Sequence, residues 1–254
     1  MASSDTLSIF VPDPGTTVTQ TTSSGAKVFT SQTGDVTNSR VFPNKGRTID
    51  DVGIREPASG DTRTTFSGAS KDTSYLGNAD DNTVVFTGNA RNTTISTGAG
   101  DDTLIASDIN RGTVSLGSGD NTAITGALKN TTFTAGTGAD SFTITDKADS
   151  VRISAGAGDD TLIFGGKVTD STVLLGQGAD VLDFSARVQN TWIDLGNDAD
   201  VDQVSFFSKT ASGSGTQIFA AGEAHLHIIG GEEYIFDTSQ TAFISTQGDS
   251  ITFG

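Results

Sequence analysis

Aspartates that follow closely spaced glycines are the residues of this chain most suited to chemistry. The octapeptide GAGDDTLI occupies residues 98–105 and returns unchanged at residues 156–163. Carboxylate oxygens are ligands that Ca²⁺ prefers, and carboxylate pairs also serve as general acids and bases. Glycines permit positive φ, so the backbone can turn and direct its carbonyl oxygens inward. The pattern therefore indicates a turn that could bind a small cation.

The same turn recurs along the chain with a period near twenty residues. The glycines that come into register are Gly77, Gly98, Gly117, Gly136, Gly156, Gly176 and Gly196, with gaps of 21, 19, 19, 20, 20 and 20 residues. Such a period is typical of solenoids, whose repeats bury their apolar faces by stacking on one another. The sequence predicts an all-β fold, a right-handed parallel β-solenoid (β-roll or β-helix) with coils of about 20 residues.

Side chains at fixed distances from these glycines predict the strands of each coil. Six residues after the glycine stand Leu104, Ala123, Phe142, Leu162 and Leu182, and eight after it stand Ala106, Thr125, Ile144, Phe164, Phe184 and Val204. A spacing of two is that of a strand face. Three residues before the glycine, Ile95, Val114, Phe133, Ile153, Val173 and Ile193 indicate a second strand. Polar pairs such as Asn92-Thr93 and Asn190-Thr191 predict a corner between the two strands.

The repeat pattern divides the chain into three expected regions. Residues 1–52 are rich in Thr and Ser and predict an extended N-terminal arm or a small β region, with a solenoid cap as the alternative. Residues 53–210 carry the β-solenoid repeats. Residues 211–254, where the period loosens after a predicted loop at residues 212–215, are expected to be degenerate coils or a C-terminal cap.

Charge and composition exclude several classes of function. The net charge is −16, and residues 75–254 hold eight Lys and Arg against 23 Asp and Glu. A nucleic-acid partner is not expected, because phosphate binding needs clustered Lys and Arg. No apolar run approaches the ~20 residues that span a bilayer, so membrane insertion is not expected. Residues 1–5 lack the basic-then-apolar pattern of a signal peptide, which is therefore not expected either. The chain has no cysteine, which excludes disulfides and thiolate metal sites.

The turns resemble the nonapeptide GGxGxDxUx, with U apolar, of the RTX family. Residues 97–105 and 155–163 match it at every position except the first glycine. Residues 135–143 and 175–183 match at the second and fourth glycines, the sixth-position aspartate and the apolar eighth position. The resemblance covers residues 75–205, about half of the chain. It implies parallel β-rolls whose turns bind calcium.

Calcium is accordingly the expected cofactor. By the match to the motif, the candidate carboxylate ligands are Asp102, Asp140, Asp160, Asp180 and Asp200. The candidate carbonyl ligands are those of Gly98, Gly100, Gly136, Gly138, Gly156, Gly158, Gly176 and Gly178. The motif stands on one edge of each coil, so a single row of sites is expected, and Asn121 interrupts it. The alternative is that the aspartates form turns and hydrate the surface of a metal-free solenoid.

Other residues with catalytic potential are better explained as structure. His225 and His227 share one strand face without a third ligand. Adjacent acids such as Asp101-Asp102 resemble glycosidase carboxylates, but they recur as members of a turn. The basic cluster of a pectate-lyase-like solenoid and the strict Thr-x-Thr array of an ice-binding face are both missing from the sequence. No catalytic residue is expected, and the protein is expected not to be an enzyme.

The leading hypothesis is therefore a rigid structural or surface-attachment protein, outside a cell or on a virion surface, such as a phage capsid-decorating or fibre subunit. One alternative is a secreted bacterial RTX-type surface or adhesion protein, and another is the calcium-binding module of a carbohydrate-active enzyme. The expected partners are further copies of the chain, as in symmetric assemblies, or other proteins of the same assembly contacted through the N-terminal arm. Cell-surface glycans are the other expected partner class.

Overall fold

The structure, a computed structural model, describes residues 5–8, 17–22, 26–33, 35–43, 48–206, 216–220, 224–228, 232–237, 242–245 and 250–251. These residues form β-strands, turns and bends, and no helix is present among them. Accordingly, none of the described segments is a helix long and apolar enough to cross a membrane. The chain is a parallel β-solenoid of about eight turns, as the twenty-residue period predicts.

The chain divides into two compact units, Met1–Gly126 and Ala127–Gly254. The first sheet of unit 1 contains Asp5–Ser8, Val52–Arg55, Ser74–Leu76, Thr94–Ala99 and Thr113–Ser118. Its second sheet contains Thr17–Thr21, Lys27–Thr33, Val36–Phe42, Thr62–Phe66, Asn82–Phe86, Thr103–Ala106 and Thr122–Thr125. Its third sheet has two-residue strands at Ile49–Asp50, Ser70–Lys71, Ala90–Arg91 and Ile109–Asn110.

Unit 2 is built in the same way. Its first sheet contains Thr132–Thr134, Arg152–Ala157, Thr172–Gln177, Trp192–Asp194 and Gln217–Phe219. Its second sheet contains Ser141–Ile144, Thr161–Phe164, Val181–Phe184, Asp202–Phe206, Ala224–Ile228, Glu232–Asp237, Ala242–Ser245 and Ser250–Ile251. Its third sheet contains Leu128–Lys129, Ala148–Asp149, Val168–Thr169 and Val188–Gln189.

Each regular coil contributes three strands, one more than the sequence predicts. In one coil of unit 1 these are Ala90–Arg91, Thr94–Ala99 and Thr103–Ala106. Each strand pairs in parallel with its equivalent in the next coil, for example Ile95 with Val114 and Leu104 with Ala123. The third strand escapes prediction because it has two residues and buries only one side chain, which gives no alternation to detect.

The predicted Asx corner follows this third strand. One non-glycine residue per coil has a φ between 48° and 58° there: Asp51, Asp72, Asn92, Arg111, Asn130, Ser150, Asp170 and Asn190. Asn and Asp adopt this left-handed conformation more readily than most residues. The next residue is often a buried hydroxyl, and those of Thr73 and Thr93 lie 3.2 Å apart. The corner predictions at Asn92-Thr93 and Asn190-Thr191 are confirmed.

Apolar side chains from successive coils stack inside each unit. Phe66 and Phe86 stack with ring centroids 4.3 Å apart in unit 1. Phe164, Phe184 and Phe206 form a continuous stack in unit 2, with separations of 5.1 and 5.0 Å. The predicted alternation of buried residues is thus confirmed, except that Phe206 aligns with Phe184, whereas Val204 aligns with Leu182.

The second sheet changes direction at one end of each unit. Thr17–Thr21, Lys27–Thr33 and Val36–Phe42 pair antiparallel in unit 1 before the parallel ladder begins. In unit 2 the strands after Ala224–Ile228 are again antiparallel. These hairpins extend the sheet within residues 1–52 and 211–254, while the predicted loop at residues 212–215 lies outside the described residues.

Candidate metal site

Four of the five carboxylates expected to bind metal, those of Asp102, Asp140, Asp160 and Asp180, lie inside the coils. The inner column of unit 1 contains Asn82, Asp102 and Asn121, and that of unit 2 contains Asp140, Asp160, Asp180 and Asp202. All seven residues are at most 4% exposed. Each stands at or beside the start of a strand of the second sheet, directly after the glycine turn. The turn therefore delivers one amide or carboxyl group to the interior in each of these seven coils.

Hydrogen bonds along each inner column join consecutive coils. The backbone N–H of Asn82 donates to Oδ1 of Asp102 at 2.7 Å, which is one coil further on. In unit 2, the N–H groups of Asp140 and Asp160 donate to the Oδ1 atoms of Asp160 and Asp180, both at 2.8 Å. Each of these carboxyl groups thus satisfies a backbone donor that a turn would otherwise bury unpaired.

The acid that precedes the inner column makes the opposite connection. The N–H of Asp101 donates to Oδ1 of Asp81 at 2.8 Å, and the N–H of Asp120 donates to Oδ1 of Asp101 at 2.8 Å. In unit 2, Asp159 accepts from the N–H of Ala179 at 2.9 Å. These residues, which we call the outer ladder, are exposed. In the repeated Asp-Asp pair, the first carboxylate therefore accepts a hydrogen bond from the following coil, and the second accepts one from the preceding coil.

Asp200 does not occupy the column position that the motif assigned to it. Asp200 is exposed, and Asp202 is buried in its place and accepts from the N–H of Asp180 at 3.0 Å. Two extra residues in this turn lengthen the coil, as the separation of 22 between Asp180 and Asp202 records. Counting a fixed distance from Gly196 therefore selects the wrong aspartate, and the same insertion moves Val204 out of the Phe184 row.

The turn glycines are required by the stacking of coils. Gly156 and Gly176 have φ of 130° and 125°, which L side chains rarely adopt. A Cβ on Gly176 would lie 1.8 Å from the carbonyl oxygen of Gly156. The carbonyl of Gly136 accepts the N–H of Ala157 at 2.9 Å, and Gly156 pairs with Gly176 in the sheet ladder. Hydrogen bonding between coils thus engages backbone that the RTX resemblance assigns to calcium.

Burial weakens the acidity of the column residues. Removal from water raises the pKa of Asp160 to about 7. The hydrogen bond from the N–H of Asp140 favours the ionised form and offsets part of this rise. Burial likewise raises the pKa of Asp180 to about 8, with the neighbouring Asp160 carboxylate adding to the rise. The pKa values of Asp102 and Asp202 are raised to about 6, again mainly by burial. The interior therefore favours the neutral acids over the carboxylates.

The fit of this arrangement to a cation is partial. The second carboxyl oxygens of Asp160 and Asp180 are buried and have no hydrogen-bond partner, so a cation or a proton could satisfy each of them. Ca²⁺ takes six to eight oxygens. Within the part of the chain that the structure describes, no three His, Asp or Glu side chains form a group that could hold a metal ion. Calcium binding stays a prediction, with Asp160 and Asp180 its best-placed residues.

A buried polar network in unit 1 is not evident from the sequence pattern. The Thr64 hydroxyl donates to a Glu56 carboxyl oxygen, and burial raises the pKa of Glu56 to about 7. Thr62 Oγ1 and the Tyr75 hydroxyl donate to Oδ1 of Asn82 at 2.6 and 3.3 Å. The available signal was the alternation of Thr62 and Thr64 with outward residues, which places hydroxyl groups on an inner strand face. Thr62 and Tyr75 of this network contact the amide that begins the inner column.

Comparisons of the chain with protein-family models, with curated proteins and with solved structures found no match. The RTX resemblance therefore rests on the turn motifs themselves. Among the other candidates named from sequence, the backbone at His225 and His227 lies in the strand Ala224–Ile228, which pairs with Asp202–Phe206. The side chains of these two histidines lie outside the described residues.

Proposed function

We propose that this protein is a non-enzymatic structural or surface-attachment element, a rigid β-solenoid exposed outside a cell or on a virion. The observation that carries the proposal is the use of the repeated acid pair. Asp101 accepts a backbone N–H from the following coil, and Asp102 accepts one from the preceding coil. The most regular acidic feature of the sequence therefore strengthens the connection between coils.

Three parallel ladders in each unit add to this connection. Within each unit, the regular coils are hydrogen-bonded to one another through all three sheets, and aromatic side chains of several adjacent coils stack. Local unfolding occurs where packing is sparse and backbone hydrogen bonds are exposed. Coils that are hydrogen-bonded through three sheets and packed on their neighbours should therefore seldom unfold individually. A rigid spacer or coat needs this property.

The acidic exterior fits a protein displayed in solvent. A net charge of −16 keeps molecules apart and favours solubility. Among such settings we favour a virion component, such as a capsid-decorating or fibre subunit, over a secreted RTX-type surface protein. Self-association through the N-terminal region is part of this proposal, since symmetric assemblies are the common form of such subunits.

Calcium remains part of the proposal as a stabilising ligand. Asp160 and Asp180 would hold it, and the ion would neutralise buried carboxylates that otherwise repel one another. Thermal melting followed by circular dichroism, in excess chelator and then with millimolar Ca²⁺, tests this point. A higher melting temperature with Ca²⁺, reduced more in Asp160→Ala than in Asp101→Ala, supports the site. Coincident melting curves, or equal effects of the two variants, exclude it.

Locating the native protein tests the structural role. Antibodies against the purified chain would be applied to particles and to cell-envelope and medium fractions from the source culture. Labelling of assembled virions is the expected result. Labelling of the cell envelope or the medium favours the secreted alternative. Turnover of an acidic polysaccharide by the purified protein, abolished in a variant of an exposed acid such as Asp159→Asn, would overturn the non-enzymatic assignment.

A further inference from the structure

The antiparallel end of the second sheet in unit 1 carries a pocket on its outer face. Alternation turns Val28, Thr30 and Val41 inward, and each is at most 1% exposed. The opposite face presents Thr17, Phe29, Ser31, Asn38, Arg40 and Phe42, which line a cavity of about 400 Å³. This volume lies in the range of small-molecule sites, which combine apolar walls with a few polar groups.

Two aromatic rings and one cation form the wall of the pocket. Phe29 and Phe42 meet edge to face, with ring centroids 5.6 Å apart and planes at 81°. The Arg40 guanidinium lies 6.0 Å from the Phe42 centroid and is exposed. Phe29 pairs with Arg40 across the strands, and Ser31 pairs with Asn38. Apolar surface, a fixed positive charge and hydroxyl and amide groups thus lie side by side.

The charge of this face differs from that of the rest of the chain. Lys27 pairs with Phe42, and Arg63 pairs with Asn38 on the next strand, so two further cations flank the pocket. Over the described strands of this sheet in unit 1, the outward positions carry no Asp or Glu, and the exposed Asp35 and Asp61 lie just before two of the strands. A basic island in a chain of net charge −16 is complementary to an anion.

We propose that this pocket binds one residue of an acidic saccharide, such as a uronic acid. The apolar face of the sugar ring packs on Phe29 and Phe42, and Arg40 pairs with the carboxylate, which matches the planar guanidinium. Ser31, Asn38 and Thr17 supply hydrogen bonds to the sugar hydroxyls. The proposal rests on the surface-attachment part of the proposed function and gives it a ligand. Binding by the purified protein does not depend on where the native protein lies, so the two ideas can fail separately.

Isothermal titration of the full chain with tetragalacturonate tests the pocket. Saturable binding is expected, and maltotetraose, which is neutral, should bind at least about tenfold more weakly. Arg40→Gln should weaken the binding of tetragalacturonate by about tenfold or more, since it removes a charge-assisted hydrogen bond. Arg55→Gln, an exposed arginine on the first sheet, is the matched control and should change the affinity less than about twofold.

A second variant separates binding from folding. Phe29→Ala should weaken binding by about tenfold, and thermal melting shows whether this variant is folded. Because Arg40 is exposed, its variant keeps the test decisive even if Phe29→Ala unfolds. No saturable binding up to about 10 mM tetragalacturonate overturns the proposal. Equal affinities of Arg40→Gln and Arg55→Gln for tetragalacturonate also overturn the proposal. Oligothymidylate that binds more tightly than tetragalacturonate at the same residues overturns it too.

Discussion

The inner columns of the two units differ in one chemical respect. In unit 1, amides at Asn82 and Asn121 stand on either side of Asp102. In unit 2, every member of the column is an aspartate. Both columns accept backbone N–H groups through Oδ1 in the same way. The two columns therefore share the geometry of the turn, but only the column of unit 1 contains amide side chains, which can donate hydrogen bonds.

This difference shows what an amide contributes to a buried column. Nδ2 of Asn82 donates to the carbonyl of Asp80 at 2.6 Å and to Oδ1 of Asp102 at 3.0 Å. A carboxylate can donate nothing, and one buried oxygen stays without a partner in Asp102 of unit 1 and in Asp160 and Asp180 of unit 2, where the acids are adjacent in the column. Neutralisation by a proton or a cation removes that deficit. Unit 2 should therefore respond to pH and cations more strongly than unit 1.

The largest loss of stability is expected from substitution of the turn glycines, a feature that the two units share. Gly117→Ala and Gly176→Ala would place Cβ atoms 1.6 and 1.8 Å from carbonyl oxygens of the preceding coil. Each should lose about 3 kcal/mol or more of unfolding free energy, at every pH, through backbone strain and displacement. Urea unfolding measures this loss. Ser118→Ala, at an exposed position of the same turn, is the control, and unchanged stability of both glycine variants would contradict the stacking geometry.

The next largest effect should come from giving unit 1 the column of unit 2. Asn82→Asp removes the donor to Asp80 and Asp102 and adds a buried carboxyl group beside Asp102. We expect a loss of about 2 kcal/mol near pH 8 and a smaller loss near pH 5, where the new acid is more protonated. Urea unfolding at the two pH values measures the change. An equal loss at both would show that charge is not the cause.

The converse change should relieve unit 2. Asp180→Asn keeps the Oδ1 acceptor and cannot ionise, so in chelator at about pH 8 it should raise the melting temperature by roughly 3–6 °C. Near pH 5 the gain should shrink, because burial already keeps Asp180 largely protonated there. Asp159→Asn, on the exposed outer ladder, is the matched control. A gain in the control as large as that in Asp180→Asn would assign the effect to surface charge.

The smallest loss of stability is expected from removal of the exposed ion pairs on the third sheet of each unit. Lys129 Nζ lies 2.9 Å from Asp149 Oδ2, and Lys71 Nζ lies 3.3 Å from Asp50 Oδ1. Lys129→Met should cost less than about 1 kcal/mol, and the difference should shrink with added salt. Urea unfolding at low and high salt measures it. A larger, salt-independent loss would show that the third sheet depends on this contact more than exposed pairs allow.

Regular spacing made most of the fold predictable. The twenty-residue period gives the parallel stacking, and residues such as Leu104 and Phe164 give the inner strand faces, because both features repeat in the sequence. The third strand was missed because Ala90–Arg91 and its equivalents are too short to show a period. Asp202 was missed because the count from Gly196 assumed a coil of constant length.

The candidate site was less predictable than the fold. The motif places an aspartate in each turn, but it does not state whether the carboxylate faces solvent or the interior. That choice depends on backbone N–H groups supplied by the neighbouring coil, which one repeat does not contain. The network of Glu56 and Tyr75 depends on tertiary contacts in the same way. Sequence spacing thus located the acids, and only packing between coils defined their environment.

The dependence of the melting temperature on pH, measured in excess chelator, tests most directly whether the column of unit 2 is buried. Folding raises the pKa of Asp160 and Asp180 to about 7 and about 8, so their contribution to stability is complete below about pH 4 and is lost as the pH rises through these values. We predict that the melting temperature falls between about pH 5 and pH 8.5, and that the fall is smaller in Asp160→Asn and Asp180→Asn. A melting temperature that stays constant or rises over this range would contradict the buried carboxyl column.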